Sequence, residues 1–289
     1  MYELNQVGAH TYYIDCPAKI GVWDAGDGVC LIDSGSDKDA GRRVKKILDE
    51  RGWRLKAILN THSHADHIGG NRYLQQQTGC AVFARGVEAD FTRHPVLEPS
   101  FLYGGCPPEE LRHKFLMAQE SDVSEAALPP EIETIPLPGH AFDMVGFRTP
   151  DDVVFLADCL SSAATLEKYG VPYLYDVGAA LSTLEAVEGM RARLFVPAHA
   201  DAAADVSALA RLNREKLLAA ADVIAGICQT PTPFEEILKA VFDRYGLSMR
   251  FEQYVLVGST VRSFLSWMKG EGRLTASFAE NRMLWQRAN

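Results

Sequence analysis

A chain of 289 residues with 47% hydrophobic and 23% charged side chains can bury a sizeable core, and its length suits one large layered domain with a small appendage. The formal net charge of -9 repels polyanions and argues against general nucleic-acid binding as the main task. No stretch reaches the ~18 to 20 apolar residues of a membrane span. Residues 1–20 carry Glu3, His10 and Asp15 where an export signal needs an apolar run, and the six cysteines are scattered without a C-x-x-C pair. The expectation is a cytoplasmic protein with free thiols.

The first predicted elements are short strands, Thr11 to Ile14, Ile20 to Trp23 and Val29 to Ile32, the last two joined through the turn-forming run Asp24-Ala25-Gly26-Asp27-Gly28. From Ser36 the pattern becomes helical, with Asp37 and Asp39 at the start, Val44, Ile47 and Leu48 on one face, and Gly52 as the stop. A strand follows over Leu55 to Leu59, then a His-rich loop, then a helical run headed by Asp66 and ending at Gly79, then a strand over Cys80 to Ala84. Strand, helix, strand in this order predicts an α/β layered architecture.

Residues 91–130 break the rhythm with Pro95, Pro99, Gly104, Gly105, Pro107, Pro108, Pro129 and Pro130, and read as an insertion with a short amphipathic stretch over Glu109 to Gln119. Beyond it come strands Ile132 to Leu137, Met144 to Phe147 and Val153 to Leu156, a helix Val177 to Met190 and a strand Leu194 to Val196. The remainder is mostly helical, Asp205 to Ile227, Pro233 to Tyr245 and Tyr254 to Lys269, followed by a hairpin through Arg273 to Trp285. The boundaries expected are a domain over 1–204 and a small helical region over 205–289. The stripe Leu256, Val257, Val261, Phe264, Leu265 and Met268 reads as core packing.

The chemistry is concentrated in Thr61-His62-Ser63-His64-Ala65-Asp66-His67, which sets three imidazoles and a carboxylate between an apolar strand and a helix. In extended backbone, residues two apart project to one side, so His62 and His64 aim at one point, while Asp66 and His67 enter the helical turn and aim at a second. Imidazole nitrogen and carboxylate oxygen are the usual donors to zinc, and iron or manganese accept the same set. A metal needs about four donors, so more must come from elsewhere. His140, Asp158 and His199 each lie just past a predicted strand, where a layered sheet gathers polar groups at one edge.

The H-x-H-x-D-H loop, the Pro138-Gly139-His140 turn, and the strand ends Leu156-Ala157-Asp158 and Pro197-Ala198-His199, in this order, resemble the metallo-β-lactamase fold superfamily, in particular its hydroxyacylglutathione hydrolase (glyoxalase II)-like branch. The resemblance covers roughly residues 7–201. It implies a four-layer αβ/βα sandwich and a dinuclear site, with His62, His64 and His140 on one divalent ion, Asp66, His67 and His199 on the other, and Asp158 bridging both. It also implies that Asp33, in Leu31-Ile32-Asp33-Ser34-Gly35, braces the ligand loop without binding metal. The expected activity is hydrolysis of an ester-type bond (thioester, lactone, ester or phosphoester) by a hydroxide bridging the two ions, zinc by preference, with Asp66 taking its proton.

His67 argues against a true β-lactamase, in which the residue after the aspartate is usually no ligand. The short Asp158 to His199 interval argues against the RNA-cleaving branch, which carries a large extra domain there. Lys168, Tyr169 and Tyr173 stand near where the glutathione hydrolases hold their substrate with a lysine and a tyrosine, at imperfect spacing. Phe101, Tyr103, Phe115, Met117, Tyr169, Tyr173 and Tyr175 are candidates for an apolar wall over the metals, or equally for packing of the insertion or a homodimer contact. The C-terminal helices and hairpin look like a winged-helix tail. Arg250, Arg262, Lys269, Arg273, Arg282 and Arg287 give it positive charge, but Asp243, Glu252, Glu271 and Glu280 interleave and disfavour nucleic acid as a partner, leaving a small molecule. Two other readings remain open: a mononuclear-iron persulfide dioxygenase on the same fold, and a nucleic-acid-linked regulatory protein.

Overall fold

The computed structural model describes residues 2–288. It opens with strands β1 (Glu3–Gln6), β2 (Thr11–Asp15), β3 (Ile20–Asp24) and β4 (Val29–Ile32), after which helix α1 (Lys38–Glu50) leads to β5 (Leu55–Leu59). Short helices α2 (Ala65–Ile68) and α3 (Asn71–Thr78) precede β6 (Ala81–Phe83). These six strands form one sheet in chain order, antiparallel through β4 and parallel from β4 to β6. Helices α4 (Gly86–Arg93) and α5 (Leu97–Tyr103) and two 3-10 turns then lead to β7 (Glu133–Pro136), β8 (Val145–Arg148) and β9 (Val153–Phe155). Helices α6 (Ala163–Tyr169) and α7 (Val177–Gly189) connect β9 to β10 (Leu194–Val196), and the second sheet has the order β10-β9-β8-β7. The C-terminal part holds α8 (Ser207–Ile227), β11 (Thr232–Pro233), α9 (Phe234–Tyr245), α10 (Phe251–Gly270), β12 (Leu274–Ala279) and β13 (Arg282–Arg287), with β13 central in a third, antiparallel sheet.

Strand alternation decides the layering. Ile20, Val22, Leu31 and Ile58 leave one face of the first sheet to pack under Val44 and Leu48 of α1 and Leu74 of α3. Trp23, Cys30, Ile32 and Leu59 leave the other face and meet Val145, Phe147, Phe155 and Val196 of the second sheet. The far side of that second sheet, through Val154 and Phe195, packs against Val177 and Leu184 of α7, Ala221 and Ile224 of α8 and Val261 and Phe264 of α10. The order is therefore helix, sheet, sheet, helix, the four-layer sandwich expected, with α8 and α10 of the C-terminal region packed in its last layer and the three-stranded sheet beyond. Most of the stripe on α10 is buried in this core, and Leu256 alone of the six is only partly covered. Among the described residues no helix is long and apolar enough to cross a membrane.

Strand direction positions the site. In the second sheet β7, β9 and β10 run the same way, since β8 is antiparallel to both β7 and β9 while β10 is parallel to β9. Their C-terminal ends, and so His140, Asp158 and His199, come to one edge. In the first sheet β4 and β5 are parallel, which brings Asp33 beside the loop that starts at Asn60.

Local departures from the expected elements have identifiable causes. The helical run from Asp66 to Gly79 is two helices, because at Gly69 and Gly70 the chain passes directly over residues 34–37. A Cβ at Gly69 would lie 2.2 Å from the Ser36 carbonyl carbon, and one at Gly70 2.3 Å from the Ser34 carbonyl oxygen. Gly69→Ala is expected to cost about 3 kcal/mol by forcing backbone apart, measurable as a lowered denaturant midpoint. Residues 109–119 form only the 3-10 turn Glu109–Leu111 and a turn closed by Leu116 N and Met117 N on the His113 carbonyl, with Arg112 Nε folded back onto the Pro107 carbonyl at 3.0 Å. The insertion instead owes its regular structure to α5, where Pro99 sits in the first turn and needs no amide hydrogen, and to the end of α4. Strands β1 and β11 and helices α4 and α6 have no counterpart among the expected elements.

Candidate metal centre

The loop after β5 is held rigidly before any ion is considered. Asp33 is 3% exposed and stands at φ +62, a left-handed conformation that aspartate tolerates better than most residues. Its Oδ1 accepts from Thr61 N at 2.8 Å, and its Oδ2 accepts from Thr61 Oγ1 at 2.7 Å and from His67 Nδ1 at 2.8 Å. Glu88, from α4, is 2% exposed; its Oε2 accepts from Ser63 N at 2.9 Å and Ser63 Oγ at 2.6 Å, and its Oε1 from Asp143 N at 3.1 Å. Two buried carboxylates thus grip the loop, Asp33 at both its ends and Glu88 at Ser63 between them.

His62, His64 and His140 form one group and Asp66, His67, Asp158 and His199 another, with the potential ligand atoms of each within 4.8 Å of one another. In the first, His64 Nδ1 lies 3.1 Å from His62 Nε2 and 3.0 Å from His140 Nε2. The outer nitrogens fix the tautomers. His140 Nδ1 donates to the Tyr173 carbonyl at 3.1 Å, and Thr61 Oγ1, whose own proton goes to Asp33, accepts from His62 Nδ1 at 3.0 Å. His64 Nε2 faces Glu98 Oε1 of α5 at 3.5 Å. Three inward lone pairs consequently converge, an arrangement that is repulsive unless a cation sits among them.

In the second group His67 Nε2 is 3.0 Å from Asp158 Oδ1, and His199 Nε2 is 3.3 Å from Asp66 Oδ2 and 3.2 Å from Asp158 Oδ2. His199 Nδ1 donates to the Pro17 carbonyl at 2.9 Å. Asp158 Oδ2 also approaches His140 Nε2 at 3.5 Å, so this one carboxylate touches both groups. Despite their proximity, His67 Nε2 and Asp158 Oδ1 are buried and have no hydrogen-bond partner, the cost of which a bound cation removes. The donor set, its tautomers and these two orphaned atoms fit a pair of divalent ions.

Charge divides the groups. Burial and the neighbouring imidazoles hold His62 well below its ordinary range, and burial brings His64 and His140 down to about 4, which keeps all three neutral and ready to ligate. At His67 burial is outweighed by Asp158, Asp66 and Asp33, which hold it well above its ordinary range. Asp158 raises His199 to about 10 against burial, while Asp66 falls to about 2 because His67 and His199 outweigh its desolvation.

Glu88 and Glu98 were not singled out from the sequence. Each follows the ligand loop in the chain by more than twenty residues with no motif of its own, so only the folded chain brings them to it. Burial, reinforced by Glu88, raises Glu98 to about 8. A cavity of about 370 Å³ adjoins the centre, with His140, Asp158, His199, Tyr169 and Tyr173 in its wall. Lys168 is not in that wall; it is exposed, its Nζ 4.8 Å above the Tyr169 ring. Phe101 and Tyr175 instead pack with Phe91 and Phe142 in an aromatic cluster that fastens the insertion, Tyr103 lies beside a separate hollow, Met117 lines another, and Phe115 is 73% exposed.

The fold and this edge cluster define a metallo-β-lactamase-type architecture. The model of the Metallo-beta-lactamase superfamily matches residues 14–199, and the chain belongs to that superfamily. Among curated proteins it is 37% identical over 118 residues to a hydroxyacylglutathione hydrolase of Methylococcus capsulatus, covering 40% of this chain and 38% of the relative. It is 33% identical over 140 residues to one of Cereibacter sphaeroides, covering 48% and 46%. The matched region thus spans less than half the length of either relative. Among solved structures, a metallo-beta-lactamase family protein from Thermus thermophilus aligns with a TM-score of 0.70 at 18% identity over 93% of both chains. A beta-lactamase domain protein from Burkholderia ambifaria aligns at 0.72 and 15%, over 99% of this chain and 94% of that one. At these identities the likeness is one of fold.

Proposed function

We propose that this protein is a metal-dependent hydrolase of an ester-type bond, a thioester in the first instance, working with two divalent ions. The observation that carries the proposal is the convergence of seven His and Asp donors in two adjoining groups that share Asp158. His62, His64 and His140 would hold one ion, Asp66, His67 and His199 the other, and Asp158 both. Zinc suits this set, and iron or manganese suit it as well. Bound ions of this kind supply Lewis acidity that brings the pKa of water toward ~7 and polarises the scissile carbonyl.

The chain's own groups do the rest. Asp66 is the open member of the set, its side chain 44% exposed, and its carboxylate would take the proton of the attacking water. Asp33 and Glu88 keep the loop from adjusting during the reaction, so the donors remain organised for charge developing on the substrate oxygen. The names of the curated relatives favour a thioester over a lactone, plain ester or phosphoester. We assign catalysis to 1–204, including the insertion, and a capping role to 205–289, in a cytoplasmic protein acting on small molecules.

The test is metal analysis of the purified protein beside a panel of thioester, lactone, ester and phosphodiester substrates. About two ions per chain and turnover of the thioester are expected. His62→Ala is expected to lose at least one ion and nearly all activity, whereas His94→Ala and His113→Ala, outside both groups, should retain them. One iron per chain with oxygen uptake on a persulfide would replace the hydrolase by a dioxygenase.

A further inference from the structure

The cavity beside the metal centre carries information about what the substrate looks like away from its reacting bond. His140, Asp158 and His199 form part of its wall, and it continues among α6, α7, α8 and α10, where Val171, Leu174, Leu184, Leu217, Leu256 and Val257 face it. Some of the polar side chains in the wall are engaged by the protein itself. Asn213 accepts from Ser161 N and donates to the Ser161 and Leu209 carbonyls, and Thr183 Oγ1 donates to the Pro138 carbonyl. The others, Ser161, Thr165, Tyr169, Tyr173 and Gln253, are neutral. Among the described residues, no lysine or arginine lines the cavity.

These features discriminate between ligands. A glutathionyl group carries two carboxylates and an ammonium, and away from the metal end this cavity has nothing of opposite charge to receive them, so their desolvation would go uncompensated. An aliphatic chain loses only its contact with water and gains packing against six apolar side chains. We propose that the cavity receives the uncharged aliphatic acyl chain of the substrate, with the scissile carbonyl at the His140, Asp158 and His199 end. This rests on the hydrolase reading and narrows its substrate class to neutral medium-chain acyl thioesters and esters.

The test uses the metal-loaded protein with p-nitrophenyl esters from acetyl to decanoyl, and with the octanoyl analogue whose chain ends in a carboxylate. Each added methylene is expected to raise kcat/KM about fourfold, the ratio equivalent to ~0.8 kcal/mol, until the cavity is filled. The carboxylate-ended analogue is expected to be at least about tenfold poorer than octanoyl. Leu256→Trp, at a half-covered position on α10, is expected to move the optimum to shorter chains, and Gln253→Arg to narrow the penalty on the carboxylate. Calorimetry with n-butanol to n-decanol supplies a readout independent of turnover, with affinity rising along the series in the native protein and ceasing to rise at a shorter chain in Leu256→Trp. If esters are cleaved with no dependence on chain length, or the anionic analogue is preferred, the acyl-chain proposal falls and the hydrolase stands. If the alcohols bind in this graded way while neither these esters nor the corresponding acyl thioesters are cleaved, the cavity assignment stands and the hydrolase falls.

Discussion

Asp158→Ala is expected to reduce bound metal from about two ions per chain to one or fewer and to lower turnover by on the order of 10³-fold or more. Among the described residues Asp158 is the one side chain whose oxygens reach both groups, Oδ1 at 3.0 Å from His67 Nε2 and Oδ2 at 3.2 Å from His199 Nε2 and 3.5 Å from His140 Nε2. Removing it takes a donor from each ion and the negative charge that offsets both. Asp158→Asn keeps the shape and one oxygen but loses that charge, so the three-histidine group is expected to retain an ion while the second is lost. Elemental analysis resolves these outcomes when done beside unfolding curves with and without chelator. An ion held at about a thousand times its Kd stabilises the fold by ~4 kcal/mol, so the native protein should melt lower in chelator while Asp158→Ala responds much less. Two ions retained by a folded Asp158→Ala protein would remove the basis for a shared centre.

What the sequence disclosed about this centre was whatever could be read locally. The H-x-H-x-D-H loop declares itself because its donors lie within six residues, and His140, Asp158 and His199 because each follows an apolar strand whose direction the sheet then enforces. The layered α/β order was legible from strand, helix, strand in succession, and its four-layer form was implied by the resemblance; β3, β4 and β5 are buried along nearly their whole length, as strands covered on both faces are. Interactions that depend on chain passing chain were not. Gly69 and Gly70 read as tolerable within one helix until the contact with residues 34–37 is known, and Glu88 looks like any surface glutamate until Ser63 is laid against it. Strand β1, Glu3–Gln6, has only one apolar residue in four and exists by pairing with β2. The aromatics of the insertion had the right composition for a pocket wall, yet composition does not distinguish packing against Phe142 from facing a cavity.

Asp33→Asn should disable the second metal position without any ligand being changed. Asparagine tolerates the left-handed backbone at this position and offers one oxygen to Thr61 N, but its amide nitrogen then stands where Oδ2 accepts from Thr61 Oγ1 and His67 Nδ1. Donors would face donors. Relief comes if His67 moves its proton to Nε2, the atom directed at Asp158, and a protonated Nε2 cannot ligate. The second ion is therefore expected to bind about 10- to 100-fold more weakly, while the three-histidine group, which reaches Asp33 only through the Thr61 hydroxyl at His62, is affected less. A competition titration with a chromophoric chelator separates the two steps. Asp33→Ala removes all three acceptor contacts from buried donors and is expected to cost about 3 kcal/mol or more in the metal-free protein, read by denaturant unfolding. If Asp33→Asn leaves both binding steps in place, the carboxylate holds the loop's shape and plays no part in setting the tautomer of His67.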